Sequence, residues 1–187
     1  MRIVGGKFRG RILSGSESNH IRPTRSQTRE ALFNILSHVY PEALNATYMV
    51  DMFAGVGSIG LEALSRGCRY VFFIDNNIKS LNVIRKNISV LGVEEHTKVL
   101  LWNVVNIQKL RIIKPFQFIF LDPPYGKKLG ERALESAETG GWIAPGALVV
   151  LEEHIDADLS LSSVFRMLQK RRFRDTQMHF FRYCPKQ

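Results

Sequence analysis

The 187-residue sequence is poor in cysteine, with Cys68 and Cys184 as its only two. Two cysteines so far apart exclude a disulfide framework and offer no metal-ligand spacing, so no metal is expected. The sequence also lacks an apolar run near the roughly 18 residues that a membrane span needs. Its first residues contain no apolar segment typical of a signal peptide. We therefore expect no membrane partner and a reducing, cytoplasmic environment.

Internal repeats, low-complexity stretches and an obvious linker are absent as well, and 45% hydrophobic with 23% charged residues is typical of a globular protein. The net charge of +9 is concentrated at the two ends. Residues 1–30 hold seven Lys/Arg against two acids, residues 166–187 hold seven against one, and the middle carries a net charge of −2. Two basic ends favour binding to a polyanion such as nucleic acid, although either end alone is equally well a solvated surface.

Short apolar runs alternate with helical patterns from about residue 47 onwards. The helical patterns cover 59–66 and 78–91. The apolar runs, each of strand length, are 48–53, 70–74, 98–102, 116–121 and 147–151. This β-α-β-α order predicts an α/β fold with a parallel sheet and helices on both faces. Two last runs, 170–174 and 178–183, predict a hairpin at the sheet edge.

Residues 1–46 are predicted to form a small basic N-terminal extension, and 47–187 the catalytic domain. Glycines among basic residues predict a short hairpin over 3–13. Thr24-Arg25-Ser26-Gln27 fits the capping box of a following amphipathic helix.

The strand over 116–121 runs directly into Asp122-Pro123-Pro124-Tyr125. Two prolines end a strand ladder and fix φ, so the Asp122 carboxylate and the Pro123 carbonyl have little freedom. Tyr125 adds a flat ring one step further on. An acceptor, a rigid carbonyl and a stacking face suit a planar base that carries an exocyclic amine. A plain Pro-Pro turn with Asp122 as a cap is the alternative.

A second motif, residues 51–60, lies at the first strand-to-helix turn and satisfies G-x-G-x-x-G, with Gly55 and Gly57 as its first two glycines. Asp75 ends the next strand about twenty residues later, where an acid can hold ribose hydroxyls. The strand-turn-helix context favours a nucleotide-like ligand over a tight turn alone.

Asp51 stands just before these glycines, where a carboxylate would repel a pyrophosphate and would suit an ammonium group. S-adenosylmethionine has that ammonium, a ribose and no phosphate, so the sequence favours this methyl donor over NAD. Its adenine would lie near Asn103, although a polar residue at a strand end is often only a turn.

The segments DMFAGVGSIGLEALSR (51–66) and LDPPY (121–125) resemble the RsmD-type family of 16S ribosomal RNA guanine-N2 methyltransferases. So do the opening RIVGGKFRGRIL, Arg22-Pro23-Thr24 and REALFN (29–34), and the resemblance extends over roughly residues 2–183. It implies the Rossmann-like class I methyltransferase fold, a mostly parallel seven-stranded sheet with an antiparallel edge strand. Two departures stand out: Asp75 replaces a frequent glutamate, and no glycine precedes Asp175-Thr176, which leaves the edge hairpin open.

The resemblance implies methyl transfer from S-adenosylmethionine to the N2 of a guanine in 16S ribosomal RNA, with S-adenosylhomocysteine as product. The expected substrate form is a small-subunit assembly particle, and a monomer is expected. Catalysis is assigned to Asp122, Pro123, Pro124 and Tyr125. The residues expected to bind the donor are Asp51, Phe53, Gly55, Gly57, Asp75 and Asn103. The basic residues expected to contact RNA are Arg9, Arg11, Arg22, Arg25, Arg29, Lys127 and Lys128.

Two other functions stay open at this point. Asp-Pro-Pro-Tyr also serves an adenine-N6 DNA methyltransferase, but 187 residues leave no separate target-recognition domain. A non-catalytic RNA-binding or ribosome-assembly factor would leave Asp122 without a purpose. Likewise, Lys127 and Lys128 are equally well the exposed start of a helix.

Overall fold

A computed structural model of the chain describes residues 1–15, 26–107 and 114–185. The helices are α1 (Ser26–Val39), α2 (Ser58–Ser65), α3 (Ile78–Leu91) and α4 (Leu129–Thr139). The strands are β1 (Tyr48–Met52), β2 (Tyr70–Asp75), β3 (Thr97–Leu101), β4 (Phe116–Leu121), β5 (Ile143–His154), β6 (Phe165–Phe173) and β7 (Thr176–Tyr183). Thr24 and Arg25 of the predicted capping box lie outside the described residues. In the part of the chain that the structure describes, no helix combines the length and apolarity needed to cross a membrane.

The strands form one seven-stranded sheet in the order β3-β2-β1-β4-β5-β7-β6. The first five in that order are parallel to one another, and β7 runs antiparallel to both β5 and β6. The predicted fold class is confirmed, including the final hairpin. The antiparallel strand β7 lies one place inside the edge, and β6 is the outermost strand.

The register places one acidic residue from each of four strands on the same face of the sheet. Asp51 on β1 pairs with Phe73 on β2 and with Phe120 on β4, and Phe120 pairs with Val150 on β5. Side chains two residues apart on a strand share a face. The acids that follow those partners by two residues, and therefore share the face of Asp51, are Asp75, Asp122 and Glu152.

The core lies in two layers, one on each side of the sheet. Leu32 and Phe33 of α1 pack in the same buried cluster as Phe118 and Phe120 of β4, together with residues of α2 and α3. The other cluster lies beneath α4 and includes Trp142. The described parts of residues 1–46 therefore share the core of the sheet, and their division from 47–187 stays a prediction.

The N-terminal segment (residues 1–15) is fastened to α2 and α3 by hydrogen bonds. It makes a short hairpin closed by an antiparallel bridge between Arg2 and Ile12. The backbone N–H groups of Val4 and Gly5 donate to the two carboxylate oxygens of Glu62, each at 2.8 Å. Asn87 of α3 exchanges two further bonds with the backbone of this segment. The hairpin is consequently held at a fixed place on the body of the protein.

Candidate active site

A cavity of about 740 Å³ opens at the carboxyl ends of the parallel strands. One wall is the glycine loop after β1, and the opposite wall is the segment from Asp122 to Tyr125 after β4. The turn between β6 and β7 (173–176) and the first turns of α1 complete the lining. The two motifs predicted from sequence therefore face one common space.

Two glycines of the loop meet geometric demands that larger residues would not. Gly57 has φ of 78° and is the N-cap of α2, a left-handed conformation that suits glycine. A Cβ atom at Gly60 would lie 2.3 Å from the Phe73 ring, so the absence of a side chain lets α2 pack closely on β2. The close packing of α2 on β2 fixes the position of the loop that lines the cavity.

Asp75 stands at the end of β2 and is half-buried on the cavity wall. Its Oδ2 accepts from the Gly55 N–H at 2.8 Å and its Oδ1 accepts from the Asn77 N–H at 2.8 Å. Burial raises the pKa of this carboxyl above its usual value, and these backbone bonds oppose the rise. Its position fits the predicted contact with ribose hydroxyls, which stays a prediction.

Asp51 is placed differently from the sequence expectation. It is only 2% exposed, it is not among the cavity-lining residues, and its Oδ2 accepts from the Gly60 N–H at 2.9 Å. Burial raises the pKa of the Asp51 carboxyl to about 8, and the bond from Gly60 opposes the rise. That bond occupies one carboxyl oxygen, and the predicted contact with the donor stays a prediction. Through it, Asp51 joins β1 to the first turn of α2.

Phe53 and Asn103 both line a small recess beside the main cavity. Phe53 lines both spaces and has φ of 61°, an uncommon left-handed conformation for a residue with a side chain. The Asn103 Oδ1 accepts from the Val105 N–H at 3.3 Å, which is the turn-capping alternative. The predicted adenine contact of Asn103 stays a prediction.

The segment from Asp122 to Tyr125 is held against the end of β5. Asp122 and Tyr125 are half-buried and Pro123 is buried. The Tyr125 hydroxyl donates to Glu152 Oε1 at 3.3 Å, and a Cβ atom at Gly130 would lie 3.4 Å from the Pro123 ring. The start of α4 therefore packs closely behind the prolines, and the rigidity expected from the sequence is supplied partly by neighbours.

Two parts of the lining were not predicted. Glu152, which is 4% exposed, contributes to the cavity from the end of β5. The apolar run ending in Leu151 and followed by two glutamates could have indicated it, because Asp122 follows its own strand in the same way. The second part is the turn at Arg174, whose φ of 52° is a conformation that glycine adopts more easily. The missing glycine noted in the sequence is thus replaced by a strained arginine.

The predicted RNA-contacting residues fall into three groups. Arg9, Arg11, Lys127 and Lys128 are exposed, and Lys128 is also the N-cap of α4, as the alternative reading had it. Arg22 and Arg25 lie outside the described residues. Arg29 is buried against the N-terminal segment, which speaks against its predicted RNA contact, as the next paragraph explains.

Arg29 is 3% exposed, and its guanidinium donates to the Arg2 carbonyl at 2.6 Å. Its Nε lies 3.8 Å from the Glu62 carboxylate, and burial lowers the pKa of the guanidinium. A side chain committed in this way to the N-terminal segment does not reach an RNA backbone.

The outermost strand β6 carries a row of cations that were not among the residues predicted to contact RNA. Arg166, Lys170, Arg171 and Arg172 are exposed, and Arg174 follows at the cavity wall. A row of exposed cations favours a polyanion over a small ligand. Among the residues that the structure describes, no group of three His, Cys, Asp or Glu side chains is arranged for a metal ion.

Comparison with known proteins places these features in context. Residues 1–182 match a family described as conserved hypothetical protein 95. The chain is 32% identical to "Ribosomal RNA small subunit methyltransferase D" of Haemophilus influenzae, over 91% of this chain and 88% of that protein. It is 34% identical to the Escherichia coli protein of the same name, over 85% and 77% of the two chains. The solved structure of the putative methyltransferase yhhF from Escherichia coli superposes with a TM-score of 0.86 at 28% identity, covering 100% of this chain and 99% of that one.

Proposed function

The chain belongs to the family described as conserved hypothetical protein 95, and from that premise we propose that it methylates the exocyclic N2 of a guanine in small-subunit ribosomal RNA, with S-adenosylmethionine as the donor. The observation that carries the proposal is the shared cavity of about 740 Å³, which puts a glycine loop and an Asp-Pro-Pro-Tyr segment within reach of one donor and one base. The RNA substrate is inferred from the similarity to proteins named ribosomal RNA small subunit methyltransferase D.

One half of the cavity, lined by the glycine loop and Asp75, is the donor half, and its residues fit S-adenosylmethionine. The loop from Phe53 to Val56 lines the cavity with apolar side chains, and Asp75 offers a carboxylate one strand away. Asp75 accepts from the Gly55 N–H of the loop, and a carboxylate at this place suits a ligand with ribose hydroxyls. When bound, the donor supplies a methyl group on a sulfonium.

The other half of the cavity, lined by the segment from Asp122 to Tyr125, is the acceptor half. There, Asp122 and the Pro123 carbonyl accept hydrogen bonds from the amine of the base. Those bonds orient the nitrogen lone pair, which is otherwise delocalised into the ring. Asp122 also takes the proton that the amine releases, help that is typically worth about 10²- to 10⁴-fold. Orientation contributes more, because well-aligned intramolecular reactions gain about 7–11 kcal/mol. Tyr125 stacks on the base, a contact worth roughly 1–3 kcal/mol.

The RNA outside the cavity meets the exposed cations of the two basic ends. Arg9 and Arg11 stand on the fastened N-terminal segment, and the β6 row leads to Arg174 at the cavity wall. Cations at both ends can hold the RNA backbone while one nucleotide leaves its stack, a step that costs a few kcal/mol in a duplex and less in a loop. We propose a small-subunit assembly particle as the substrate, a monomer as the active form and the cytoplasm as its location.

Labelled S-adenosylmethionine, offered with small-subunit RNA, with precursor particles or with duplex DNA, tests the proposal. Label on the N2 of a guanine in the RNA or the particle is expected. Label confined to adenine in DNA would replace the proposal with DNA methylation, and no transfer to any substrate would favour a binding factor. Asp122→Asn is the matched control, since it keeps the side-chain shape and removes the proton acceptor.

A further inference from the structure

Glu152 occupies a position in the cavity that corresponds to that of Asp122. The pairing of Leu121 with Leu151 puts Asp122 and Glu152 side by side at the ends of the parallel strands β4 and β5. Neighbouring strands lie about 4.8 Å apart, and these two side chains share one face of the sheet. Glu152 is 4% exposed and lines the cavity. Two carboxylates therefore meet the acceptor half from adjacent strands.

The two consecutive glutamates of β5 have separate tasks. Glu153 points to the other face, and its Oε1 accepts from the backbone N–H groups of Gly126 and His154 at 3.2 and 2.9 Å. It is 2% exposed and is not among the cavity-lining residues. Glu152 points into the cavity, where its Oε1 accepts from the Tyr125 hydroxyl at 3.3 Å. That bond links Glu152 to the ring proposed to stack on the base and fixes its place in the acceptor half.

The chemistry of the bases decides what a carboxylate at this place selects. An ionised carboxylate only accepts hydrogen bonds. Guanine presents N1–H and N2–H as adjacent donors on its Watson–Crick edge, and an enzyme that takes a base out of its stack reads that edge. Adenine and 2-aminopurine have an unprotonated N1 at the same place, which would set two acceptors against each other. With Asp122 on the exocyclic amine, the neighbouring carboxylate stands beside N1.

We propose that Glu152 is the residue that selects guanine, by accepting the N1–H of the base while Asp122 accepts from N2. The inference rests on the proposed function and adds the residue that distinguishes guanine from other purines with an exocyclic amine. 2-Aminopurine is the decisive probe, because it keeps the reacting 2-amino group and lacks only the N1–H and the 6-oxo group. Sites built to bond a polar hydrogen reject analogues that lack it by up to about 10⁴- to 10⁵-fold.

The experiment first maps the nucleotide that the wild-type protein methylates in small-subunit RNA. That nucleotide is then replaced by 2-aminopurine in otherwise identical RNA, and kcat/KM is measured on both RNAs. Wild type is expected to prefer guanine by about 10²-fold or more, and Glu152→Gln is expected to reduce that ratio at least about tenfold, because an amide can donate to an unprotonated N1. The 2-aminopurine fluorescence gives RNA affinity independently of turnover, and Glu152→Gln should bind this RNA more tightly than wild type does.

Glu153→Gln is the matched control, the same change one residue along, and should leave the guanine to 2-aminopurine ratio unchanged. A wild-type protein that methylates both RNAs equally well overturns the role of Glu152, whether or not the variant folds. So does a Glu152→Gln protein that binds donor normally and keeps the wild-type ratio. If the wild type methylates no guanine at all, the proposed function fails first and this inference fails with it.

Discussion

Replacing Glu62 by alanine should unfasten the N-terminal segment, because this one side chain holds four partners. It is fully buried in α2 and accepts from Val4 N–H, Gly5 N–H and Arg66 Nε, each at 2.8 Å. The Arg29 Nε lies 3.8 Å away on the same carboxylate. The substitution would leave two backbone donors and the Arg66 Nε without their acceptor, and the buried Arg29 guanidinium without its counter-charge.

Two routes to the size of the effect agree. Removing one partner of a buried ion pair costs about 3–5 kcal/mol. If the segment detaches instead, the donors return to water and the apolar side chains of Ile3 and Leu13, 1% and 3% exposed, lose their burial. Burying such a side chain is worth about 1.5–3 kcal/mol, so the two together give about 3–6 kcal/mol. We expect Glu62→Ala to lower the free energy of unfolding by about 3–5 kcal/mol.

Urea unfolding followed by circular dichroism measures this loss, and limited proteolysis reports whether residues 1–15 are released. Glu135→Ala on the exposed face of α4 is the control and should change stability by less than about 0.5 kcal/mol. A Glu62→Ala protein within about 1 kcal/mol of wild type would show that the carboxylate contributes little beyond its desolvation, and the assigned role would be refuted.

Three further predictions concern the site and its surroundings. Asp122→Asn should lower kcat by about 10²- to 10⁴-fold with donor affinity nearly unchanged by calorimetry, and a collapse of donor affinity would contradict its placement in the acceptor half. Arg9→Ala with Arg11→Ala should reduce the slope of log affinity for RNA against log salt by about one per residue, with the exposed Lys86→Ala as control; an unchanged slope would return both arginines to ordinary surface solvation. The pKa of Asp51 is about 8 in the folded state against 3.8 as its ordinary value, so between these pH values the unfolded chain has lost a proton that the folded protein keeps. The stability that this carboxyl contributes is therefore complete below pH 4 and is lost as pH rises through 8, at up to about 1.4 kcal/mol per pH unit. Asp51→Asn should therefore gain stability relative to wild type as pH rises from 4 to 8, and a pH-independent difference in unfolding free energy would mean that the folded-state pKa is ordinary.

Much of the sheet was predictable because its strands are short apolar runs with strong ends. The strand over 116–121 and the helix over 78–91 have the bounds that the pattern indicated. β6 begins at Phe165 instead of residue 170, because its exposed basic side chains hide the alternation that marks a half-buried strand. Local periodicity carries little information about such an edge.

The site was predictable where residues act through their own loop and unpredictable where they act through distant partners. Asp122 and Asp75 each follow an apolar strand, which is a local pattern. Arg29 and Glu62 meet across 33 positions of sequence, and nothing near either residue indicates burial. The bond that Asp51 accepts from the Gly60 N–H is a contact of the same kind, because only the folded chain shows it.

The order of strands at the carboxyl edge also fixes the distances between the parts of the site. Asp75, the glycine loop, Asp122 and Glu152 stand on β2, β1, β4 and β5, successive strands of the sheet. Three steps of about 4.8 Å separate the first from the last, a spacing set by backbone hydrogen bonds and not by any side chain. Under the proposed roles, a substitution at the end of β5 would change which base is bound and would leave the position of the methyl donor unchanged.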